Sequence, residues 1–260
     1  MKHILSRDHV RTLDPLAGAR VLLAFDFDGT LAPIVADRER AAMRRRTHAL
    51  LAAAAELYPC AVISGRARGD VAARLGSIPV KYVVGNHGME HAPDPAGHDR
   101  EIALARPLLE RALAVHPGIE IEDKRYSLSI HYRASPRKRA ARGAIDAAIA
   151  ALPRPMRVIA GKLVANVVPA GARHKGTSLL ELRERERADI AVYVGDDVTD
   201  EDAFALHRPG QVLAMRVGRA RASAAPFYLR DQREIDRLLV HVVKLRDTPA
   251  PSRARPSGDG

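Results

Sequence analysis

The sequence holds one cysteine, Cys60, among 260 residues. That excludes an internal disulfide and argues against a cysteine-based zinc site. Aromatic residues are scarce, at 4% of the chain, whereas readers of single-stranded nucleic acid need stacking platforms. No apolar run approaches the roughly 20 residues of a membrane span. The opening Met1-Lys2-His3-Ile4-Leu5-Ser6-Arg7-Asp8 has none long enough for a secretory signal. Acidic side chains are in deficit, 31 against 42 Lys and Arg, for a formal charge of +11. Scattered arginines on solvated surfaces account for the excess, so neither a nucleic-acid nor a membrane partner is expected. Part of the charge can steer an anionic substrate. These absences together predict a cytoplasmic enzyme.

What is present is enough apolar residue, 47%, to fill an interior. The length suits a core domain carrying a smaller one. Val21–Phe25, Cys60–Ile63 and Ile190–Val194 are short apolar runs that end in polar clusters. They read as parallel strands buried on both faces. Tyr82–Val84 adds another strand, residues 39–57, 68–75, 175–187 and 231–245 read as helices, and 212–215 and 227–229 as edge strands. The class predicted is α/β, a Rossmann-like doubly wound parallel sheet. Between its halves the pattern changes. Residues 91–98 read as a linker, 99–115 and 136–151 as helices, and 119–122, 127–132, 156–160 and 163–168 as strands. The first two of these strands alternate apolar and polar residues, as half-exposed antiparallel strands do. We therefore expect an N-terminal extension at 1–18, a core at 19–90 and 172–246, an inserted α/β cap at 91–171, and a disordered tail at 247–260.

Ligands of open α/β sheets bind beyond the carboxyl ends of the strands. There the sequence places Asp26-Phe27-Asp28-Gly29-Thr30, Ser64-Gly65-Arg66 and Asp196-Asp197-Val198-Thr199-Asp200, with Lys175-Gly176-Thr177 opening a helix. Asp26, Asp28 and Asp196 concentrate negative charge, which calls for a cation. Their all-oxygen donor set selects a hard one such as Mg²⁺. Thr30 and Ser64 hydroxyls can hold phosphate oxygens, and Lys175 adds a point charge. Such a site can support attack by one carboxylate on a phosphate while the second moves protons.

These residues resemble the haloacid dehalogenase phosphatase superfamily: Asp26 to Leu31, Ser64, Lys175 and Gly195-Asp196-Asp197 match its four motifs in order. The resemblance implies a mobile cap, Asp26 as nucleophile and Asp28 as general acid/base. It also implies Mg²⁺ held by Asp26, the Asp28 main-chain oxygen and Asp196. Further segments are similar to the trehalose-6-phosphate phosphatase family over about residues 20–235. They are Ser64-Gly65-Arg66, Gly85-Asn86-His87-Gly88-Met89-Glu90, Glu122-Asp123-Lys124, Ser127 to Arg133, and Gly195 to Phe204 with its extended acidic form. That likeness implies hydrolysis of a small sugar phosphate, trehalose 6-phosphate, and functional coupling to a trehalose-phosphate synthase. It implies substrate contacts at Gly65, Arg66, Asn86, His87 and Arg133, with Glu122 and Lys124 gripping sugar hydroxyls. The chain departs from it at Asn166-Val167-Val168-Pro169, where the family usually has Glu-[Ile/Val]-Arg-Pro. An amide at Asn166 leaves related glycosyl phosphates open as substrates: sucrose phosphate, glucosylglycerol phosphate or mannosylphosphoglycerate. A non-catalytic sugar-phosphate-binding module is a further alternative.

Overall fold

A computed structural model describes residues 1–91, 95–161 and 163–247 of the chain. The chain opens with β1 (Lys2–His3) and a 3₁₀ helix at Val10–Ala17. Next come β2 (Val21–Phe25), α1 (Arg45–Leu57), β3 (Cys60–Ile63), α2 (Arg68–Leu75) and β4 (Tyr82–Val84). The inserted segment holds α3 (Pro95–Leu113), β5 (Glu120–Asp123), β6 (Leu128–His131), α4 (Lys138–Ala150), β7 (Met156–Gly161) and β8 (Val164–Pro169). The chain then returns through α5 (Lys175–Arg185), β9 (Ile190–Gly195), α6 (Glu201–Phe204), β10 (Val212–Val217), β11 (Phe227–Leu229) and α7 (Glu234–Asp247).

Seven strands form one parallel sheet in the order β1-β11-β10-β9-β2-β3-β4. β2 lies at its centre with every residue buried. Its run Val-Leu-Leu-Ala-Phe does not alternate because both faces are covered. Leu23, Phe25, Val62 and Val194 pack on one face. Leu22, Ala24, Ala61 and Tyr193 pack on the other. The register sets the site: Phe25 is level with Val62 and with Val194. Asp26, Ser64 and Asp196 therefore leave one edge of the sheet within a residue or two of that level.

The inserted segment forms a second, antiparallel sheet in the order β5-β6-β8-β7. α3 and α4 cover one face, where Ile102, Leu109, Ile145 and Ile149 pack on Leu128, Ile130, Ala165 and Val167. Alternation then turns the intervening residues to the opposite face. Register puts Glu122, Ser129, Asn166 and Ile159 in a single row across all four strands. Among the described residues no helix is long and apolar enough to cross a membrane.

Several sequence expectations shift. Residues 1–18 are part of the core rather than an extension. β1 pairs with β11, and His3 Nε2 meets Glu234 Oε2 at 2.7 Å. The helix expected from 39 starts at Arg45, because Thr47 and Arg44 turn to Asp236 on α7 and the preceding residues wrap the cleft instead. Helix α3 begins inside the expected linker, at Pro95, a residue suited to a first helical position. β6 is not half-exposed: Leu128, Ser129 and Ile130 are all buried. The helix expected at 231–245 runs from Glu234 to Asp247, and the rest of the expected tail lies outside the described residues.

Candidate active site

The acidic loops close the carboxyl edge of the sheet. Asp26 follows β2 directly, and its backbone N–H donates to the Val194 carbonyl. Its Oδ1 accepts from the Phe27 N–H at 2.7 Å and lies 3.0 Å from Lys175 Nζ. Lys175 opens α5 and is 1% exposed. Its ammonium also donates to Asp200 Oδ1 at 2.7 Å. Tyr193 donates to that same oxygen at 2.6 Å. Asp200 Oδ2 takes the backbone N–H groups of Asp196 and Asp197, each at 2.9 Å. Asp200 thus has about all four of its lone-pair sites used.

Burial sets the charge states. It would push the Lys175 ammonium down, but Asp200 and Asp26 outweigh it and hold the group protonated, above its ordinary range. Burial also opposes ionisation of Asp200, yet Lys175 and the Tyr193 hydroxyl keep it a carboxylate. For Asp26 burial raises the pKa, Lys175 opposes, and Asp200 and Asp196 add to the rise. Asp196 is pushed up to about 7 by burial and by the Asp200 charge. Tyr193 stays neutral through burial and the same carboxylate.

Asp26, Asp196 and Asp200 each offer an oxygen within 4.8 Å of the others. All the donors are carboxylate oxygens, as a hard divalent cation prefers. Asp196 Oδ1 is buried and has no hydrogen-bond partner among the described residues, which fits a ligand atom waiting for one. Gly29 makes the close approach possible. Its φ is +79°, and a Cβ there would lie 2.1 Å from Asp196 Oδ2. The Asp28 carboxylate is committed elsewhere, to Arg66 at 2.6 and 2.8 Å.

A cavity of about 470 Å³ opens above these groups, within the range usual for small-ligand sites. Asp26, Asp28, Ser64, Gly65, His87, Lys175 and Asp196 line it from the core, Lys124 and Asn166 from the second sheet. An adjoining cavity of about 480 Å³ shares Gly65 and Lys124 and adds Asn86 and Glu122. Asn86 and His87 have φ of 47° and 57°, a turn that brings the His87 ring against Gly65. A Cβ at Gly65 would lie 2.5 Å from that ring. On the second sheet, Ser129 donates to Asn166 Oδ1 at 2.7 Å. Burial alone would raise the Glu122 carboxyl. His131 at 3.1 Å and Lys124 at 3.5 Å overcome it and hold the group below its ordinary range.

Three expected contact residues lie elsewhere. Thr30 is 0% exposed beneath the loop and lines neither cavity. Arg66 is buried behind Asp28 and also lines neither. Arg133 is exposed beyond the end of β6, off both cavities. The sequence places Asp200 in the acidic cluster after β9 but does not show its bonds to Lys175 and to the Asp196 and Asp197 N–H groups, and it carries no signal for Tyr193 or Ser129.

The parallel sheet, the strand-end acids and the second sheet over them are those of the haloacid dehalogenase phosphatase fold. The chain belongs to the trehalose-phosphatase family, whose model matches residues 24–232. It is 39% identical over 215 residues to the trehalose-phosphate phosphatase of Mycobacterium avium, covering 76% of this chain and 54% of that one. The chain thus spans about half the length of the Mycobacterium relatives it matches. A Candida albicans trehalose-6-phosphate phosphatase C-terminal domain shares the fold, with a TM-score of 0.74 at 22% identity, over 94% of this chain and 98% of that one. An Aspergillus fumigatus trehalose-6-phosphate phosphatase superposes with a TM-score of 0.66 at 25% identity, over 95% and 99%.

Proposed function

We propose that this chain hydrolyses trehalose 6-phosphate to trehalose and phosphate through an aspartyl-phosphate on Asp26. The observation that carries the reading is the shared cavity. It sets Asp26, Asp28, Ser64, Lys175 and Asp196 against Lys124 and Asn166 from the facing sheet. An acidic floor with a buried ammonium suits a phosphoryl group, and a polar roof suits hydroxyls.

The residues define the steps. Lys175 and the Phe27 N–H occupy Asp26 Oδ1, which leaves Oδ2 to attack phosphorus. The bond from phosphorus to the sugar oxygen breaks, and Asp28 protonates that oxygen. Asp28 then takes a proton from water, which attacks phosphorus, releases phosphate and frees the Asp26 carboxylate. Ser64 and Lys175 hold the phosphoryl oxygens, and the Lys175 charge offsets the repulsion between carboxylate and phosphate. Asp26, Asp196 and the Asp28 main-chain oxygen would hold Mg²⁺, which when bound neutralises charge on those oxygens. Asp200 aims Lys175 and, through two N–H groups, the Asp196 loop. Glu122, Lys124 and Asn86 line the second cavity, where sugar hydroxyls would sit.

One observation favours a second reading at the substrate level. Asn166, fixed by Ser129, offers an amide to the roof, which suits a related glycosyl phosphate. Phosphate release measured over a panel of sugar phosphates, with and without Mg²⁺, tests both. Highest kcat/KM on trehalose 6-phosphate is expected. Turnover of another phosphate with none of trehalose 6-phosphate would sink the first reading, and Mg²⁺-dependent binding without any turnover would sink both.

A further inference from the structure

Arg66 shares a tight turn with Ser64 and Gly65, yet its side chain is 1% exposed. It does not reach the cavity that its neighbours line. Its Nε donates to Asp28 Oδ2 at 2.6 Å and its Nη2 to Asp28 Oδ1 at 2.8 Å. Its Nη1 turns the other way, to Asp70 Oδ2 at 2.8 Å on α2. Asp70 Oδ1 accepts from Arg74 Nε at 2.7 Å, one turn further along. Arg74 Nη1 then reaches the carbonyls of Glu39 and Ala41. Ala41 lines the same cavity as Asp28, beside Ile34 and Val35. A chain of alternating charge therefore runs from the Asp28 carboxylate through α2 to the outer wall of the cleft.

Arginine stays protonated throughout, so this chain cannot carry a proton. What a forked pair of bonds does fix is the plane of a carboxylate. Asp28 needs such a fix, being two residues from Asp26 and on the same cavity as Asp196, where like charges would push it away. Two of its roughly four lone-pair sites are taken by Arg66. Asp28 also lines the cavity, so a site outside the fork can take or give a proton without breaking it.

We propose that Arg66, braced by Asp70 and Arg74, is the positioning residue that aims the Asp28 carboxylate at the leaving oxygen. This rests on the reading of Asp28 as general acid/base. A proton donor matters to a sugar alkoxide and hardly at all to an aryl oxide, which leaves unprotonated. Loss of aim is therefore selective for the leaving group, whereas a general loosening of the fold is not.

The test compares kcat/KM, which reports only steps up to leaving-group loss, on trehalose 6-phosphate and on 4-nitrophenyl phosphate. Arg66→Lys keeps the charge and loses the fork. It is expected to lower the trehalose 6-phosphate value on the order of 10- to 100-fold and the aryl value less than about 3-fold. Asp70→Asn, off the cavity, is expected to do the same more weakly, and it carries the test if the Arg66 variant does not fold. In an Asp28→Asn background, Arg66→Lys has nothing to act through and should change residual alkyl-phosphate turnover less than about 2-fold. Equal losses on both substrates, no loss on either, or additivity with Asp28→Asn would overturn the proposal. Wild-type enzyme that cleaves the aryl ester but not trehalose 6-phosphate defeats the substrate reading instead. The comparison then uses an alkyl phosphate that the wild type does cleave.

Discussion

The floor and the roof of the cleft are built on different principles. On the floor, Lys175, Asp26, Asp200 and Tyr193 are buried and joined by contacts of 2.6 to 3.0 Å. On the roof, Glu122 is about half exposed and Lys124 stands 3.5 Å from it. Removing one member of a buried network leaves another charge unpaired at a cost of about 3–5 kcal/mol. Removing an exposed partner leaves a group that water can serve, for roughly 0–1 kcal/mol. The floor can thus hold one chemistry rigidly while the roof is retuned at little cost to the fold.

The largest effect is expected at the proposed nucleophile. Asp26→Asn should lower turnover on the order of 10⁴-fold or more with the circular dichroism spectrum unchanged. Near-wild-type activity would show the nucleophile to be misassigned. Next is Asp200→Asn, which touches no substrate in the mechanism above. It leaves Lys175 short of a counter-charge and loosens two N–H bonds to the Asp196 loop. A loss of about 3–5 kcal/mol is expected, roughly 6–20 °C in Tm for a chain of this size, along with most activity. A calorimetric scan that places this variant within a degree or two of wild type would show that the floor is not the rigid half.

Much of the floor was legible because a central parallel strand announces itself twice. β2 reads as an unbroken apolar run, and the run stops where polar residues take over at Asp26. Register then did the rest, since level strands deliver their loops to one edge. What the sequence hid was direction. Arg66 looks like a phosphate contact by type and place, and only the buried fork to Asp28 turns it away from the cavity. β1 was missed because two residues carry no period; its pairing with Phe227 and Tyr228 is a long-range event. The start of α1 was misplaced because Glu39 and Ala41 present their carbonyls to Arg74 rather than to a helix. Ser129 reads as a solvent-facing position until the row across four strands sets it beside Asn166.

The proposed metal site also bears on stability. Burial and the neighbouring Asp200 charge both disfavour ionisation of Asp196. Asp196→Asn should therefore raise Tm in chelator by a few degrees, following relief of repulsion, while abolishing activity. In wild type, Mg²⁺ at about 100 times its Kd should add about 2.7 kcal/mol; the variant should show little of that gain. Thermal melts with Mg²⁺ and with chelator decide it. A variant that still gains fully from Mg²⁺ would remove Asp196 from the ligand set.

The smallest effect on the fold belongs to the roof. Asn166 takes a hydrogen bond from Ser129 and lines the cavity, and its Nδ2 is 3.5 Å from the Ile159 carbonyl. Asn166→Glu keeps an acceptor for Ser129 and gives the sugar a charged one. Charge-assisted bonds are worth roughly 1 kcal/mol more than neutral ones, or about 5-fold. The ratio of kcat/KM for trehalose 6-phosphate over other glycosyl phosphates should rise by about that factor, with Tm within about 2 °C of wild type. Lys124 borders the same cavity and can balance the new charge, so the fold has no buried lone ion to resist. A ratio left unchanged would mean that Asn166 answers to Ser129 alone and that substrate choice lies with Glu122 and Lys124.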